Sequence, residues 1–175
     1  MSETIWTSGY AKSELEAAQQ QFKLEFPSDL VALLLDRRPV GSLDWRTDQA
    51  KIEDALSWPL KGILFDIDHS DFWLSDWGEK PQKKSDQHAI ARDAIEAAPK
   101  LIPVYSHRYI PQEPNEEGNP VFSVYQTDVI YYGSNLEHYF ENEFGAWSAK
   151  PFKEYKVIPF WSDLVLLNSG PYLQS

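Results

Sequence analysis

The residues of this chain best suited to chemistry lie in the run DIDHSD, which begins at Asp66. Asp66 and Asp68 are two positions apart, so on a β-strand their side chains would share one face. His69, or His107 from further along the chain, could join these carboxylates around Mn, Fe or Zn, because such metals accept mixed carboxylate and imidazole ligands. The alternative is a polar turn in which the side chains of Asp68 and Asp71 accept hydrogen bonds from nearby backbone N–H groups.

A second candidate is the run Ser106-His107-Arg108-Tyr109. Adjacent residues of a strand point to opposite faces, and the chain has no G-x-S-x-G motif, so a serine nucleophile with a histidine base is not expected. Arginine and tyrosine are among the side chains that dominate protein-binding hot spots, which makes the run a candidate contact surface. The alternative is an internal ion pair of Arg108 with Asp66 or Asp128 that holds the strands in register.

Aromatic residues form the third candidate set, Phe72, Trp73, Trp77, Tyr131 and Tyr132. Clustered rings can stack on bases or sugars, but packing in the core is the expected role of most of them. The short motifs of phosphate, dinucleotide and zinc-protease sites are absent from the sequence. We therefore predict no catalytic residues and no cofactor.

Composition narrows the classes of partner. The chain of 175 residues has 27 acidic and 16 basic side chains and a net charge of −11. This charge argues against binding to nucleic acid or to anionic lipid, both of which need a basic surface. It suits a basic protein partner, although an acidic composition needs no such explanation.

The sequence also bears on compartment. It contains no cysteine, which excludes disulfides, thiolate catalysis and cysteine-based zinc sites. The first residues lack the basic start and apolar stretch of a signal peptide, and no apolar run approaches the length of a membrane span. We expect a cytoplasmic protein whose oligomeric state the sequence leaves open.

Hydrophobic periodicity predicts helices on both sides of a group of strands. We expect a loose arm over residues 1–12, helices that begin at Ser13 and Ser28, a third helix that ends at Trp58 before Pro59 and Gly62, a fourth over residues 87–98 and a last one within residues 157–167. The expected strands are residues 63–67, 101–105, 121–125 and 128–132. Ser134 or Asn135 can cap a helix from Leu136, whose apolar face contains Tyr139, Phe140 and Phe144.

The order of these elements resembles the SMI1/KNR4 family, also called the SUKH superfamily. The blocks that carry the resemblance are residues 118–144, with the pattern strand, turn, strand, turn, helix, together with residues 15–35, 58–78 and 98–111. The last two are similar to the bacterial branch. The resemblance implies one α+β domain over residues 1–175, with a core at about 10–145 and residues 146–175 packed on it. A mixed or antiparallel sheet would pack against N- and C-terminal helices.

The same resemblance implies a non-enzymatic, intracellular protein-binding domain. In the bacterial branch this is an immunity protein that binds and neutralises a cognate toxin, here a basic one such as a nuclease. The alternatives are a regulatory or scaffold module linked to cell-wall synthesis or signalling, as in fungal relatives, and, less expected, a metal-dependent hydrolase that uses Asp66, Asp68, His69 and His107.

We expect the partner to bind where acids, aromatics and an arginine cluster in loop-like sequence. This face combines residues 66–77 with the loop of residues 107–119. Its members are Asp66, Asp68, Asp71, Trp73, Trp77, His107, Arg108 and Tyr109. Charge reversal at Asp68 and Asp71 should weaken partner binding and reduce its salt dependence.

Overall fold

A four-stranded antiparallel sheet lies at the centre of the protein, with its strands in chain order. The strands are β3 (Leu101–Tyr105), β4 (Arg108–Pro111), β5 (Val121–Tyr125) and β6 (Asp128–Gly133). The computed structural model describes residues 5–145 and 154–169. Residues 1–4 of the predicted N-terminal arm lie outside this range. Residues 146–153 and 170–175, which belong to the predicted C-terminal segment, also lie outside it.

Six α-helices and a two-stranded antiparallel sheet surround the central sheet within the described residues. The helices are α1 (Lys12–Phe22), α2 (Ser28–Asp36), α3 (Gln49–His69), α4 (Lys84–Ala97), α5 (Leu136–Phe144) and α6 (Trp161–Asn168). The small sheet pairs β1 (Trp6–Ser8) with β2 (Arg37–Pro39). The α+β architecture predicted from the sequence is confirmed. None of the described helices has the length and apolar character needed to cross a membrane.

Both faces of the central sheet are buried, which explains why its strands are nearly continuous apolar runs. Two consecutive residues of β4 show this directly, since Ile110 packs into one apolar cluster and Tyr109 into the other. The first cluster contains residues of α1, α2 and α5, and the second contains residues of α4 and α6. The sheet therefore lies between two helical layers.

Helix α3 corrects the sequence prediction most strongly. Residues 63–67 do not form a strand, because one helix continues from Gln49 to His69 through Pro59. A proline inside a helix lacks the N–H that would bond the carbonyl four residues before it. Here that carbonyl belongs to Ala55, and the hydroxyl of Tyr109 donates to it at 2.7 Å. The sheet thus supplies the donor that Pro59 lacks, and the helix continues.

The second half of α3 lies directly on the turn between β5 and β6. A Cβ atom added to Gly62 would lie 2.7 Å from the Cα atom of Gln126, so only glycine allows this approach. One turn later, the buried carboxylate of Asp66 accepts hydrogen bonds from the backbone N–H of Thr127 at 2.9 Å and from its hydroxyl at 2.6 Å. These contacts fix α3 against one end of the sheet.

We predict that Tyr109→Phe lowers the free energy of unfolding by about 1–3 kcal/mol, because it leaves the carbonyl of Ala55 buried without its donor. In a Pro59→Ala background the new backbone N–H at position 59 can bond the same carbonyl, so the cost of Tyr109→Phe should shrink. Urea unfolding of the wild type, both single variants and the double variant measures this coupling. Equal costs of Tyr109→Phe in the two backgrounds would show that the hydroxyl does not replace the missing donor.

Candidate functional site

The structure separates the two carboxylates of the predicted metal site. Asp66 and Asp68 lie on a helix, where two residues are about 200° apart, and not on one face of a strand. Asp66 faces Thr127, whereas Asp68 faces α4 and bonds the ring of His88 at 2.8 Å. The ring of His69 packs on Phe65. Among residues 5–145 and 154–169, no three or more His, Cys, Asp or Glu side chains form a group that could hold a metal ion.

The remaining acids of the predicted face are matched by nearby cations. Asp68 bonds Lys84 at 3.0 Å as well as His88, and Asp71 bonds Lys80 at 2.8 Å. Partial burial of Asp68 opposes ionisation, but the hydrogen bonds from His88 and Lys84 prevail and hold its pKa below the ordinary value. A shallow cavity of about 410 Å³ is bordered by these acids and both lysines. The charge available to attract a basic partner is therefore small here.

The two tryptophans of the predicted face pack mainly against the protein itself. Their ring centroids lie 5.0 Å apart, and the indole N–H of Trp73 donates to the carbonyl of Gly78. Trp77 also stacks on Phe160, just before α6. Both side chains are half-buried and pack against the second apolar cluster, as the prediction of a core role for most of these rings requires.

Ser106 and His107 form the tight turn between β3 and β4, and their side chains meet, contrary to the expectation that they point to opposite faces. Ser106 Oγ lies 3.1 Å from His107 Nδ1, and Arg108 Nη1 lies 2.8 Å from His107 Nε2. Because guanidinium nitrogens only donate, Nε2 must accept, so in the neutral ring the proton is on Nδ1. That nitrogen therefore donates to Ser106 and cannot remove its proton.

Arg108 forms an internal ion pair, but with neither of the partners that the sequence suggested. Its Nε donates to Glu143 of α5 at 3.2 Å, its Nη1 donates to the hydroxyl of Ser123 at 2.7 Å, and its guanidinium lies 4.0 Å from the ring centre of Tyr132. The register of β4 on β5 places Arg108 opposite Ser123, beneath α5, whereas Asp66 lies on α3. The geometry favours the structural alternative over an exposed hot spot.

The predicted face is also not continuous. Tyr109 is 1% exposed and Asp66 is 5% exposed, so neither can contact a partner. In the antiparallel sheet, the turn at His107 lies at the same end as the turn at Thr127. The loop of residues 112–120 lies at the opposite end, because it joins the other ends of β4 and β5. The structure therefore divides the surface that the sequence treated as one.

A groove of about 780 Å³ lies between α2, α5 and β1. Three residues of α5 at successive helical turns, Leu136, Phe140 and Phe144, form much of the wall on the α5 side. Leu33 of α2 completes one wall, and pairing of β1 with β2 brings in Trp6, whose ring lies 4.9 Å from that of Phe140. We call this cavity the α2–α5 groove.

One end of the α2–α5 groove is acidic. Glu117 and Glu137 are exposed there, and Asp29 accepts a hydrogen bond from the backbone N–H of Gly118 at 2.9 Å. The pairing of Val121 with Gly133 explains the clustering, because it brings the residues before β5 and after β6 to one end of the sheet. Among the described residues, the carboxylates of Glu117 and Glu137 have no ion-pair partner.

The other end of the groove is aromatic, and Arg37 and Glu141 are the charged residues that line it among those described. Arg37 lies over the ring of Trp6, 4.3 Å from its centre, and Phe140 and Phe144 continue the aromatic surface. The sequence had predicted the apolar face of α5 without saying which of its residues would be buried. Only Leu136 and Tyr139 of that face are buried, whereas Phe140 and Phe144 remain partly exposed. Two phenylalanines on the side of a helix next to exposed glutamates were the available signal.

We predict that His107 titrates below its ordinary value of 6.5, because partial burial and then the charge of Arg108 lower its pKa. Protonation at lower pH therefore favours the unfolded state, so the stability that neutral His107 contributes is present above 6.5 and lost as pH falls. Arg108→Met should raise the titration midpoint. NMR titration of the imidazole C–H signals, assigned with His107→Gln, measures it. A midpoint at or above 6.5 in the wild type would contradict the proposed contacts.

Comparisons with known proteins leave the function to be inferred from this geometry. No family model, no curated protein and no solved structure matches the chain. The resemblance to the SMI1/KNR4 family therefore stays a prediction from the sequence.

Proposed function

We propose that this chain is a non-enzymatic, cytoplasmic protein-binding domain of the SMI1/KNR4 type, and that it acts as an immunity protein against a basic toxin. The observation that carries the proposal is the α2–α5 groove, in which aromatic side chains lie next to the acidic side chains of Asp29, Glu117 and Glu137. Aromatic side chains bind partners strongly, and acidic ones select basic surfaces. The net charge of −11 acts in the same direction over longer distances.

The polar residues that could take part in catalysis are already bonded within the protein, which supports a binding role. Asp66 is engaged with Thr127, and Asp68 with His88 and Lys84. Nδ1 of His107 donates to Ser106, because Arg108 donates to Nε2 of the same ring. Each of these polar groups therefore has a structural partner, whereas the carboxylates of Glu117 and Glu137 at the groove form no ion pair with any residue that the structure describes.

The proposal predicts one basic protein partner that is lost as salt rises, because rim charges are screened by salt. The measurement is affinity purification of the tagged chain from its native host at low and moderate salt, with mass spectrometry. The double variant Glu117→Lys/Glu137→Lys should reduce the amount of partner retained roughly fivefold or more. The matched control, Glu79→Lys/Glu96→Lys, makes the same charge change at exposed acids outside the groove and should retain the partner.

Two outcomes would contradict the proposal in different ways. Absence of any partner at both salt concentrations would contradict a binding function under those growth conditions. Equal retention by the groove variant and its control would leave a binding protein whose contact surface is elsewhere. In that case Asp71→Lys, at a side chain 94% exposed, tests the face that the sequence predicted.

A further inference from the structure

The two ends of the α2–α5 groove differ in chemistry over a short distance. Leu136 lies at the acidic end, and Phe144 lies eight residues further along α5, which is about 12 Å. Asp29 and Arg37 occupy the corresponding ends of the α2 wall, again eight residues apart. The acids cluster where β5 begins and β6 ends, whereas Arg37 and Trp6 lie at the small sheet.

Because the two ends differ in charge, each end would favour different side chains of a bound segment. A lysine or arginine at the acidic end would meet the carboxylates of Glu117, Glu137 and Asp29. At the aromatic end the same side chain would meet the guanidinium of Arg37, and like charges brought together in this way are unfavourable. Glu141 also lines this end, but its side chain already has a partner. Apolar side chains suit the aromatic end, where Trp6, Phe140 and Phe144 are partly exposed.

The walls also indicate the form of the occupant. Both walls are helical, and their groove-facing residues recur every fourth position, as in Leu136, Phe140 and Phe144. Such walls present side chains, while their backbone groups are bonded within the helices. A helix with apolar residues at the same spacing can fit its side chains between theirs, which is the common mode of helix-in-groove recognition.

We propose that the α2–α5 groove binds an amphipathic helical segment of a partner protein in one orientation. The basic residues of this segment lie at the end formed by Asp29, Glu117 and Glu137, and its apolar anchors lie on Trp6, Phe140 and Phe144. This inference rests on the proposed function, since it specifies what the groove binds. It adds that the basic residues are confined to one end of the segment.

The test uses two synthetic 15-residue peptides of identical composition and one ¹⁵N-labelled full chain. One peptide places three lysines in its last helical turn, where they also stabilise the peptide helix, and leucine with one tryptophan in the earlier turns. Its isomer distributes the lysines over all turns. Binding is measured by fluorescence anisotropy, and orientation by NMR line broadening from a nitroxide at either end of the first peptide.

The first peptide should bind with a Kd roughly fivefold lower than that of its isomer, as expected for one additional well-placed charge contact. A nitroxide at its lysine end should broaden the amide signals of Gly118 and Glu137, and one at its other end the indole signal of Trp6. Glu117→Lys/Glu137→Lys should abolish the difference between the isomers, whereas Glu79→Lys/Glu96→Lys should preserve it.

Equal affinity of the isomers, equal broadening at both ends of the groove, or no binding of either peptide would overturn this inference. These failures are distinguishable from failure of the proposed function. If the host partner is captured through the groove but the isomers bind equally, protein binding stands and the orientation is wrong. If oriented peptide binding occurs but the host yields no partner, the chemistry of the groove stands and the proposed function fails.

Discussion

The hydroxyl of Tyr109 donates to the carbonyl of Ala55, and the path of helix α3 depends on this contact. Pro59 would otherwise leave the partly buried carbonyl of Ala55 without a protein donor in the middle of the helix. With the carbonyl satisfied, α3 passes through Pro59 and reaches a total length of 21 residues. It then places the indole of Trp58 on the carbonyl of Val124 and the carboxylate of Asp66 on the turn after β5. One hydrogen bond between sheet and helix thus orients much of the second helical layer.

Several arginines of this chain form ion pairs inside the protein, and this pairing determines where unneutralised acidic residues remain. Arg38 and Arg46 pair with Asp44, and this arrangement, with the hydrogen bond from Arg46 as the largest cause, holds the pKa of Asp44 far below its ordinary value. Arg108 pairs with Glu143 in the same way. With 16 basic and 27 acidic residues, internal pairing leaves an excess of carboxylates. Two of these, Glu117 and Glu137, lie at one end of the α2–α5 groove, and partly exposed aromatic rings lie at the other, and this combination makes the groove suitable for binding.

Local patterns predicted the elements whose signals are local. Strands β5 and β6 form at the expected residues, and Asn135 caps α5 by accepting a hydrogen bond from the N–H of His138. The end of α3 was wrongly predicted, because the donor that compensates for Pro59 is the hydroxyl of Tyr109, 54 residues from Ala55 in sequence. The strand assigned to residues 63–67 failed for the same reason, and with it the shared face of Asp66 and Asp68.

The site was harder to predict than the fold. Arg108 was recognised as important, but its partner Glu143 becomes apparent only once α5 is placed over the sheet. The α2–α5 groove needs helices that are about 100 residues apart in sequence, and no short motif records that proximity. The acids that drew attention in sequence, Asp66 and Asp68, proved to be structural because they are surrounded by donors.

The central claim is that partner binding occurs at the α2–α5 groove. Hydrogen–deuterium exchange of the chain, alone and in complex with the captured partner, tests it most directly because it reports on every segment at once. The account predicts slower exchange in residues 28–37 and 135–145, with little change in residues 66–77. Protection confined to residues 66–77 and the turn at His107, with none in α2 or α5, would contradict it.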